Sequence, residues 1–185
     1  MSALANDMEI KFVMALGDNF YDNGVSSTND NQWNSSWADV YKNRFPNLKI
    51  PFYAVLGNHD YGYGADGVQA QIDKTYSEDN TQGLWNMPAQ AYVELIPLPD
   101  GGSLMMINID TTTLNPSANE CCNEEGGIST EEQQNRIYSQ LHTITSSIAC
   151  AMNSGSPDWI FVNGILRTTL IITLMLFSSF NSLFT

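Results

Sequence analysis

The strongest constraint on the fold of this chain is a pattern that occurs twice, an apolar run followed at once by glycine and metal-ligand residue types. Residues 12–16 (FVMAL) precede residues 17–21 (GDNFY), and residues 51–56 (PFYAVL) precede residues 57–61 (GNHDY). Continuous apolar runs of this length predict strands that are buried on both faces. In open α/β sheets, sites form beyond the carboxyl ends of the strands. The pattern therefore predicts an α/β fold with one site built from both motifs.

A third apolar run has a different continuation. Residues 159–164 (WIFVNG) also end in glycine, but Ile165 follows, and no Asp, Glu or His occurs from there to Thr185. We therefore predict a partial domain over residues 1–164 and an apolar tail over residues 165–185. A membrane contact is left open for this tail alone, since the stretch between Arg167 and Asn181 has 13 residues, whereas about 20 are needed for a span.

The segments between the motifs predict the remaining elements of an α/β sheet with helices. Residues 31–45 place apolar side chains at three- and four-residue spacing, which predicts a helix that Pro46 ends. Residues 57–66 are predicted as a loop and residues 68–76 as a short helix. Two further strands, at residues 90–98 and 103–110, flank a hairpin turn. That turn is indicated by an Asp followed by two glycines.

A third helix is predicted late in the chain. Ser129 and Glu132 have the spacing of a capping box, which places a helix start at this point. The helix runs to about Met152. Its core-facing side is predicted from four residues at helical spacing, Ile137, Leu141, Ile144 and Ile148.

The charge balance limits the possible partners. The chain carries 7 Lys and Arg against 20 Asp and Glu, so its net charge is −13. This surface repels polyanions, so we expect no nucleic-acid binding. A small phosphorylated substrate is compatible with such a charge when bound cations reverse the local field.

Three cysteines, Cys121, Cys122 and Cys150, do not form a zinc or redox motif, since no C-x-x-C spacing occurs. A disulfide from the adjacent pair to Cys150 would fit an oxidising compartment. Free thiols are an equal alternative.

The residues of the two motifs are suited to holding metal ions. Asp18 offers a hard carboxylate ligand able to bridge two cations, and Tyr21 follows three residues later, within reach of the same point across a tight turn. Asn58 offers a neutral carbonyl oxygen. His59 beside it can donate a proton or a hydrogen bond to a phosphoryl oxygen.

Residues 17–25 (GDNFYDNGV) and 57–61 (GNHDY) resemble two metal-binding motifs of the purple acid phosphatases. The similarity is greatest to the small, tartrate-resistant type within the calcineurin-like metallophosphoesterases. It extends over about residues 3–164 and includes further short matches, for example residues 109–111 (IDT) and 158–164 (DWIFVNG).

This resemblance implies a four-layer α/β/β/α sandwich and a binuclear Fe(III)–M(II) centre, where M is Fe, Zn or Mn. It implies hydrolysis of phosphate monoesters by a metal-bound hydroxide, with the two ions about 3.5–4 Å apart. By position, Asp18 bridges the ions, Tyr21 binds the ferric ion and Asn58 the divalent ion. His59 contacts the substrate or protonates the leaving group.

The resemblance also implies supporting residues and a compartment. Three polar residues next to the ligands are expected to hold them in place or to serve the fold, namely Asn19, Asp22 and Asp60. The family is largely secreted, vacuolar or lysosomal.

The sequence departs from the family pattern in its remaining ligands. The family uses an Asp from an earlier Gly-Asp motif, a His after the strand that here ends at Gly164, and a Gly-His-x-His motif. The chain has two histidines, His59 and His142, and His142 lies in the predicted late helix, where we expect it to be structural. We therefore expect an incomplete acid phosphatase with weak or no activity.

Two alternatives to an acid phosphatase remain. In the first, the chain is a non-catalytic truncated product, either tail-anchored through residues 165–185 or regulatory. In the second, it is a metal-binding module without hydrolysis.

Overall fold

The computed structural model describes residues 2–80, 83–112, 130–153, 157–166, 170–171 and 174–177. The chain begins with helix α1 (Ser2–Met8). This helix is tied to the body of the fold through Asn47, whose amide donates to the Ser2 carbonyl at 2.7 Å and to Asn6 Oδ1 at 2.8 Å.

The first sheet contains the strands that carry the two motifs. Strands β1 (Val13–Leu16), β2 (Phe52–Val55) and β3 (Trp85–Asn86) are parallel, in the order β1-β2-β3. The expectation of a buried strand fits β2, where three of the four residues are buried. It is wrong for β1, where only Val13 is buried, because β1 lies at one end of this strand order and pairs only with β2 among the described strands.

The helix predicted over residues 31–45 is present, but it is a π-helix (Trp33–Lys42). Its wider turn is visible in the hydrogen bond from Asn43 N to Ala38 O, five residues earlier, at 2.7 Å. Trp33 and Trp37 are buried and pack edge-on against Trp85, with ring centroids 5.0 and 5.7 Å away. A short 3-10 helix (Pro46–Leu48) follows at the predicted proline.

The segment after β2 is more ordered than its composition suggested. Residues 57–66 were expected to form a loop, but a 3-10 helix (Asn58–Tyr61), here called the motif helix, lies within them. Helix α2 (Gly64–Tyr76) begins four residues before the predicted start. The loop prediction failed because glycine and asparagine, which disfavour long helices, are compatible with a single short turn.

The second sheet is mixed and contains four described strands. Strands β4 (Tyr92–Pro97) and β5 (Ser103–Asn108) form the predicted hairpin, with Gly101 at φ +88° in the turn. Strand β6 (Trp159–Asn163) runs parallel to β5.

Three short strands lie in the segment where the sequence showed no pattern of the fold. Strands β7 (Ile165–Leu166) and β8 (Leu170–Ile171) pair with each other, and β9 (Leu174–Phe177) pairs antiparallel with β6. Among the described residues, no helix has the length and apolar character needed to cross a membrane.

Helix α3 (Thr130–Asn153) confirms the late helix. Its predicted core-facing side is partly wrong, since Ile144 is buried while Leu141 is 53% exposed. The predicted cap Ser129, with Cys121 and Cys122, lies outside the described residues. The cysteine alternatives therefore stay predictions, and Cys150 is exposed on α3.

Helices lie on both sides of the two sheets. The π-helix and α2 join the core of the first sheet, to which they contribute Trp33 and Val68, whereas α3 packs on the second sheet through Ile144. Tyr92 of β4 connects the sheets, because its hydroxyl donates to Ala54 O of β2 at 2.9 Å. This order of layers confirms the predicted α/β/β/α sandwich.

Candidate metal centre

The two motifs meet at the carboxyl ends of β1 and β2. These strands are parallel and in register, with Leu16 opposite Val55, so the residues that follow them share one edge of the sheet. Gly17 and Asp18 turn the chain with φ angles of +91° and +49°. A positive φ is uncommon outside glycine, although Asp tolerates it better than most residues. The turn places the Asp18 carboxylate against the start of the second motif.

Asp18 is held by both motifs. Tyr21 Oη donates to Asp18 Oδ2 at 2.9 Å, and the backbone N–H of His59 donates to Asp18 Oδ1 at 3.1 Å. Gly57 leaves the space for this carboxylate, because a Cβ at position 57 would overlap both the backbone nitrogen and the carboxylate of Asp18. The arrangement therefore requires glycine at position 57 although its φ of −111° suits any residue.

Tyr21 stands at the open side of the site. Its side chain is 59% exposed, and its ring lies 4.6 Å from the His59 ring between centroids. The hydrogen bond to Asp18 raises the pKa of the Tyr21 phenol, with smaller contributions from burial and from the negative charges of Asp18 and Asp60. The phenol is thus protonated at neutral pH unless a cation at Asp18 displaces the proton.

His59 has one ring nitrogen fixed. Its Nδ1 lies 2.7 Å from the carbonyl oxygen of Asp22. A carbonyl only accepts, so Nδ1 carries a proton and donates. The contribution of Asp22 to the site is therefore its backbone carbonyl, which orients the imidazole and assigns the remaining chemistry to Nε2.

The buried carboxylate of Asp60 connects the two motifs through hydrogen bonds to the backbone of each. Asp60 is fully buried, and its carboxylate accepts hydrogen bonds from four partners, Asn19 N (3.1 Å), Phe20 N (3.3 Å), Gly57 N (2.9 Å) and Gln71 Nε2 (3.0 Å). Burial raises the pKa of Asp60 to about 6, although these donors act in the opposite direction. The carboxylate thus fixes the loop that presents Asp18 and Tyr21.

Asn19 completes this network. Its amide Nδ2 donates to Val55 O at 2.8 Å and to Gln71 Oε1 at 3.2 Å, and reaches Asp60 Oδ2 at 3.4 Å. Asn19 and Asp60 therefore lie behind the candidate ligands and contact each other. Their role as supporting residues of a metal centre stays a prediction.

Gln71 of α2 is a part of the site that the sequence analysis did not assign. Its side chain is fully buried and bonds to both Asn19 and Asp60. Its backbone carbonyl accepts a hydrogen bond from Trp85 Nε1 at 3.0 Å. The sequence signal that could have indicated this role is a polar residue on the buried face of α2, beside apolar residues such as Val68. A buried amide needs partners, so its position indicates a polar network.

The donor set of the described residues is made of oxygen atoms. Asp18 supplies a carboxylate, Tyr21 a phenol and Asn58, which opens the motif helix and is half-buried, an amide. Among the described residues, no group of three or more His, Cys, Asp or Glu has the spacing to hold a metal ion. His142 is exposed on α3. Hard oxygen donors fit one hard cation such as Fe(III), but they do not fill two coordination shells.

Comparison with known proteins gives the family of this fold. A family model described as calcineurin-like phosphoesterase matches residues 1–164. Human tartrate-resistant acid phosphatase type 5 is 30% identical over 154 residues, which cover 83% of this chain and 43% of the relative. Purple acid phosphatase 4 of Arabidopsis thaliana is 44% identical over 72 residues, which cover 39% of this chain and 20% of the relative.

A solved structure shows the same fold. The Plasmodium protein described as GAP50, the anchor in the inner membrane complex, superposes with a TM-score of 0.56 at 22% identity, over 88% of this chain and 47% of that one. The chain spans less than half the length of these relatives. The chain belongs to the calcineurin-like phosphoesterase family and is related to the tartrate-resistant and purple acid phosphatases within it.

Proposed function

We propose that the protein to which this chain belongs is an acid phosphatase that hydrolyses phosphate monoesters at a binuclear Fe(III)–M(II) centre, with M being Fe, Zn or Mn. The observation that carries the proposal is the contact between Asp18, Tyr21 and the His59 backbone at the ends of two parallel strands. Family membership and the acid phosphatase relatives support the same reaction class.

In this proposal Asp18 would bind both ions, Tyr21 would bind the ferric ion and Asn58 the divalent ion. The Asp18 and Tyr21 oxygens already lie 2.9 Å apart, so both can coordinate the same cation. When bound, the ions would neutralise charge on the phosphoryl oxygens and lower the pKa of a nucleophilic water. The positive centre would also offset the net charge of −13, which otherwise repels a phosphorylated substrate.

His59 acts as the proton donor to the leaving group or as a hydrogen-bond donor to the phosphoryl oxygen. The carbonyl of Asp22 accepts the hydrogen bond from Nδ1–H, so the proton that His59 gives to the substrate is on Nε2. Proton transfer from Nε2 to the leaving oxygen turns an alkoxide into an alcohol.

A second function is favoured by the number of donors. Within the described residues, the three oxygen ligands close the shell of neither ion, and retained oxygen ligands alone bind transition metals weakly. The chain on its own is then a non-catalytic form of the fold, which holds a cation at Asp18 and Tyr21 or none. A tail-anchored or regulatory product is included in this alternative.

One experiment separates these functions. The purified chain is loaded with Fe(III) and Zn(II), and hydrolysis of p-nitrophenyl phosphate at acidic pH is measured together with visible absorption. Turnover that Asp18→Asn abolishes supports the phosphatase. Absorption that Tyr21→Phe abolishes, without turnover, supports the non-catalytic form. The control is Asp100→Asn, in the hairpin turn. Turnover that survives Asp18→Asn would overturn the site.

A further inference from the structure

The motif helix is attached to the second sheet through one buried contact. The hydroxyl of Tyr61, the last residue of this helix, donates to Asp110 Oδ2 in the segment that follows β5. Tyr61 is 2% exposed and Asp110 is fully buried. Gln90, just before β4, donates to the same hydroxyl oxygen at 3.2 Å. The contact thus joins the segment after β2 to both ends of the hairpin.

The environment of Asp110 is built around this contact. Its second oxygen accepts from Thr112 N at 3.0 Å, and its carbonyl accepts from Gln140 Nε2 of α3 at 3.3 Å. The neighbouring Thr111 packs against Gly164 at the end of β6, where an added Cβ would meet Thr111 Cγ2 at 2.6 Å. The position of Asp110 is therefore set by β5, β6 and α3 together.

A buried carboxylate is costly unless its hydrogen bonds are made, and an apolar pair would satisfy packing alone at lower cost. What a bonded Tyr–Asp pair adds is direction, because it is satisfied in one geometry. The pair is therefore suited to fixing the orientation of the motif helix rather than to holding the two sheets together by burial.

The motif helix has four residues and is held by two sets of contacts. Asp60 bonds to backbone groups of the first motif, and Tyr61 bonds to the segment after β5 of the second sheet. His59 precedes both residues, with its N–H bonded to Asp18 and its carbonyl accepting from Gly62 N at 3.2 Å. The contacts to the first motif hold the helix against the first sheet only, and the Tyr61 bond adds the contact to the second sheet.

We propose that Tyr61 and Asp110 are positioning residues, which act through the motif helix to hold the His59 ring against Asp22 and Tyr21. The second sheet thereby sets the direction in which a candidate proton donor on the first sheet points. The inference deepens the proposed role of His59 and takes its catalytic meaning from that role.

The test reads the geometry of His59 directly and needs neither metal nor turnover. The chain has two histidines, so His59 and His142 give two ring signals that His142→Gln assigns. In the native chain we expect nuclear Overhauser contacts between the Tyr21 and His59 rings, whose centroids are 4.6 Å apart. Tyr61→Phe is expected to shift the His59 ring signals and to abolish these contacts, while the His142 signals stay in place.

Two further variants keep the proposal falsifiable. Tyr92→Phe is the matched control, since Tyr92 is also a buried tyrosine whose hydroxyl joins the two sheets, but it does not belong to the motif helix. It is expected to leave the Tyr21–His59 contacts intact. Asp110→Asn is the conservative variant and is expected to preserve them, because the new amide can donate to the Tyr61 oxygen, which accepts as well as donates.

Three outcomes would overturn the inference. They are unchanged His59 signals in a folded Tyr61→Phe chain, equal loss of the ring contacts in Tyr92→Phe, and loss of the contacts in a folded Asp110→Asn chain. If Tyr61→Phe does not fold, Asp110→Asn compared with Asp110→Ala decides, since only Asp110→Ala is expected to abolish the contacts. All these results are independent of whether the metal-loaded protein hydrolyses phosphate esters.

Discussion

The two sheets differ in how their buried polar groups are partnered. Behind the first sheet, Asp60, Asn19 and Gln71 bond to one another and to backbone groups of both motifs. At the carboxyl end of the second sheet, buried Asn108 Nδ2, Asn163 Oδ1 and Thr111 Oγ1 have no hydrogen-bond partner within the described part of the chain. Near the first sheet the same holds for Trp37 Nε1 alone, within those residues.

This difference shows which half of the site is self-supporting. The loop that presents Asp18 and Tyr21 takes its conformation from contacts within residues 17–71. The second sheet contacts the motif helix through Tyr61 and Asp110. Within the residues that the structure describes, the amides of Asn108 and Asn163 bond to each other at 2.9 Å, and the remaining polar atom of each amide has no partner. Stability should therefore respond differently to changes in the two networks.

The largest effect is expected for Asp60→Ala. The change removes the acceptor of four donor groups, three of which lie on buried residues, and each unsatisfied buried group costs about 1–3 kcal/mol. We expect the free energy of unfolding in urea to fall by at least about 3 kcal/mol. The control is Asp100→Ala, which removes one contact to Gly102 N in an exposed turn. A loss equal to that of the control would show that the network does not support the fold.

A smaller and non-additive effect on the free energy of unfolding is expected in the second sheet. Asn163→Leu alone leaves Asn108 buried without its partner and should lower the free energy of unfolding by about 1–3 kcal/mol. Asn108→Leu combined with Asn163→Leu removes all four polar groups and should recover most of this loss, since an apolar pair needs no partner. Urea unfolding of the single and double variants measures the difference. Additive losses would contradict the expectation.

The smallest effect concerns the pH dependence of stability at the ion pair between Lys74 of α2 and Asp79. Asp79 is bonded to the buried amine of Lys74 at 2.5 Å, and this bond, with one from Ser77, holds the pKa of Asp79 below its usual range. A lowered pKa in the folded state stabilises it above the unfolded pKa of about 3.9, and the gain is lost as the pH falls through the folded value.

For Asp79→Asn we therefore expect a loss of under about 1 kcal/mol at pH 7, because Asp79 is largely exposed. The loss should vanish in strong acid. Thermal melting of both chains between about pH 7 and pH 2 tests this, and the two curves should converge at the acidic end. Asp73→Asn, on α2 and bonded through its side chain to Gln69, is the control. Parallel curves would remove Asp79 from the acid response.

The sequence predicted elements whose signal is local. The apolar runs gave β1, β2 and β6, and the Asp-Gly-Gly turn gave the hairpin with Gly101 at positive φ. The π-type of the Trp33–Lys42 helix was not predictable, because tryptophans four residues apart suit either helix. The two-residue strand Trp85–Asn86 was missed because its pairing with β2 comes from tertiary contacts.

The site was predictable as a set of residues but not as a network. The motifs named Asp18, Tyr21, Asn58 and His59, and the structure shows direct contacts between Asp18, Tyr21 and His59. The sequence could not indicate that the Asp22 carbonyl orients His59, because every residue has a backbone carbonyl. Their metal-binding and catalytic roles stay predictions.

The close approach of Gly57 to Asp18 joins two positions that are 39 residues apart. A Cβ at position 57 would overlap the backbone nitrogen of residue 18 as well as its carboxylate. Alanine at position 57 is therefore excluded even where the acid at position 18 has been lost. Among related chains the glycine should outlast the aspartate, so that its presence marks the close approach of the two motifs rather than the retention of the ligand.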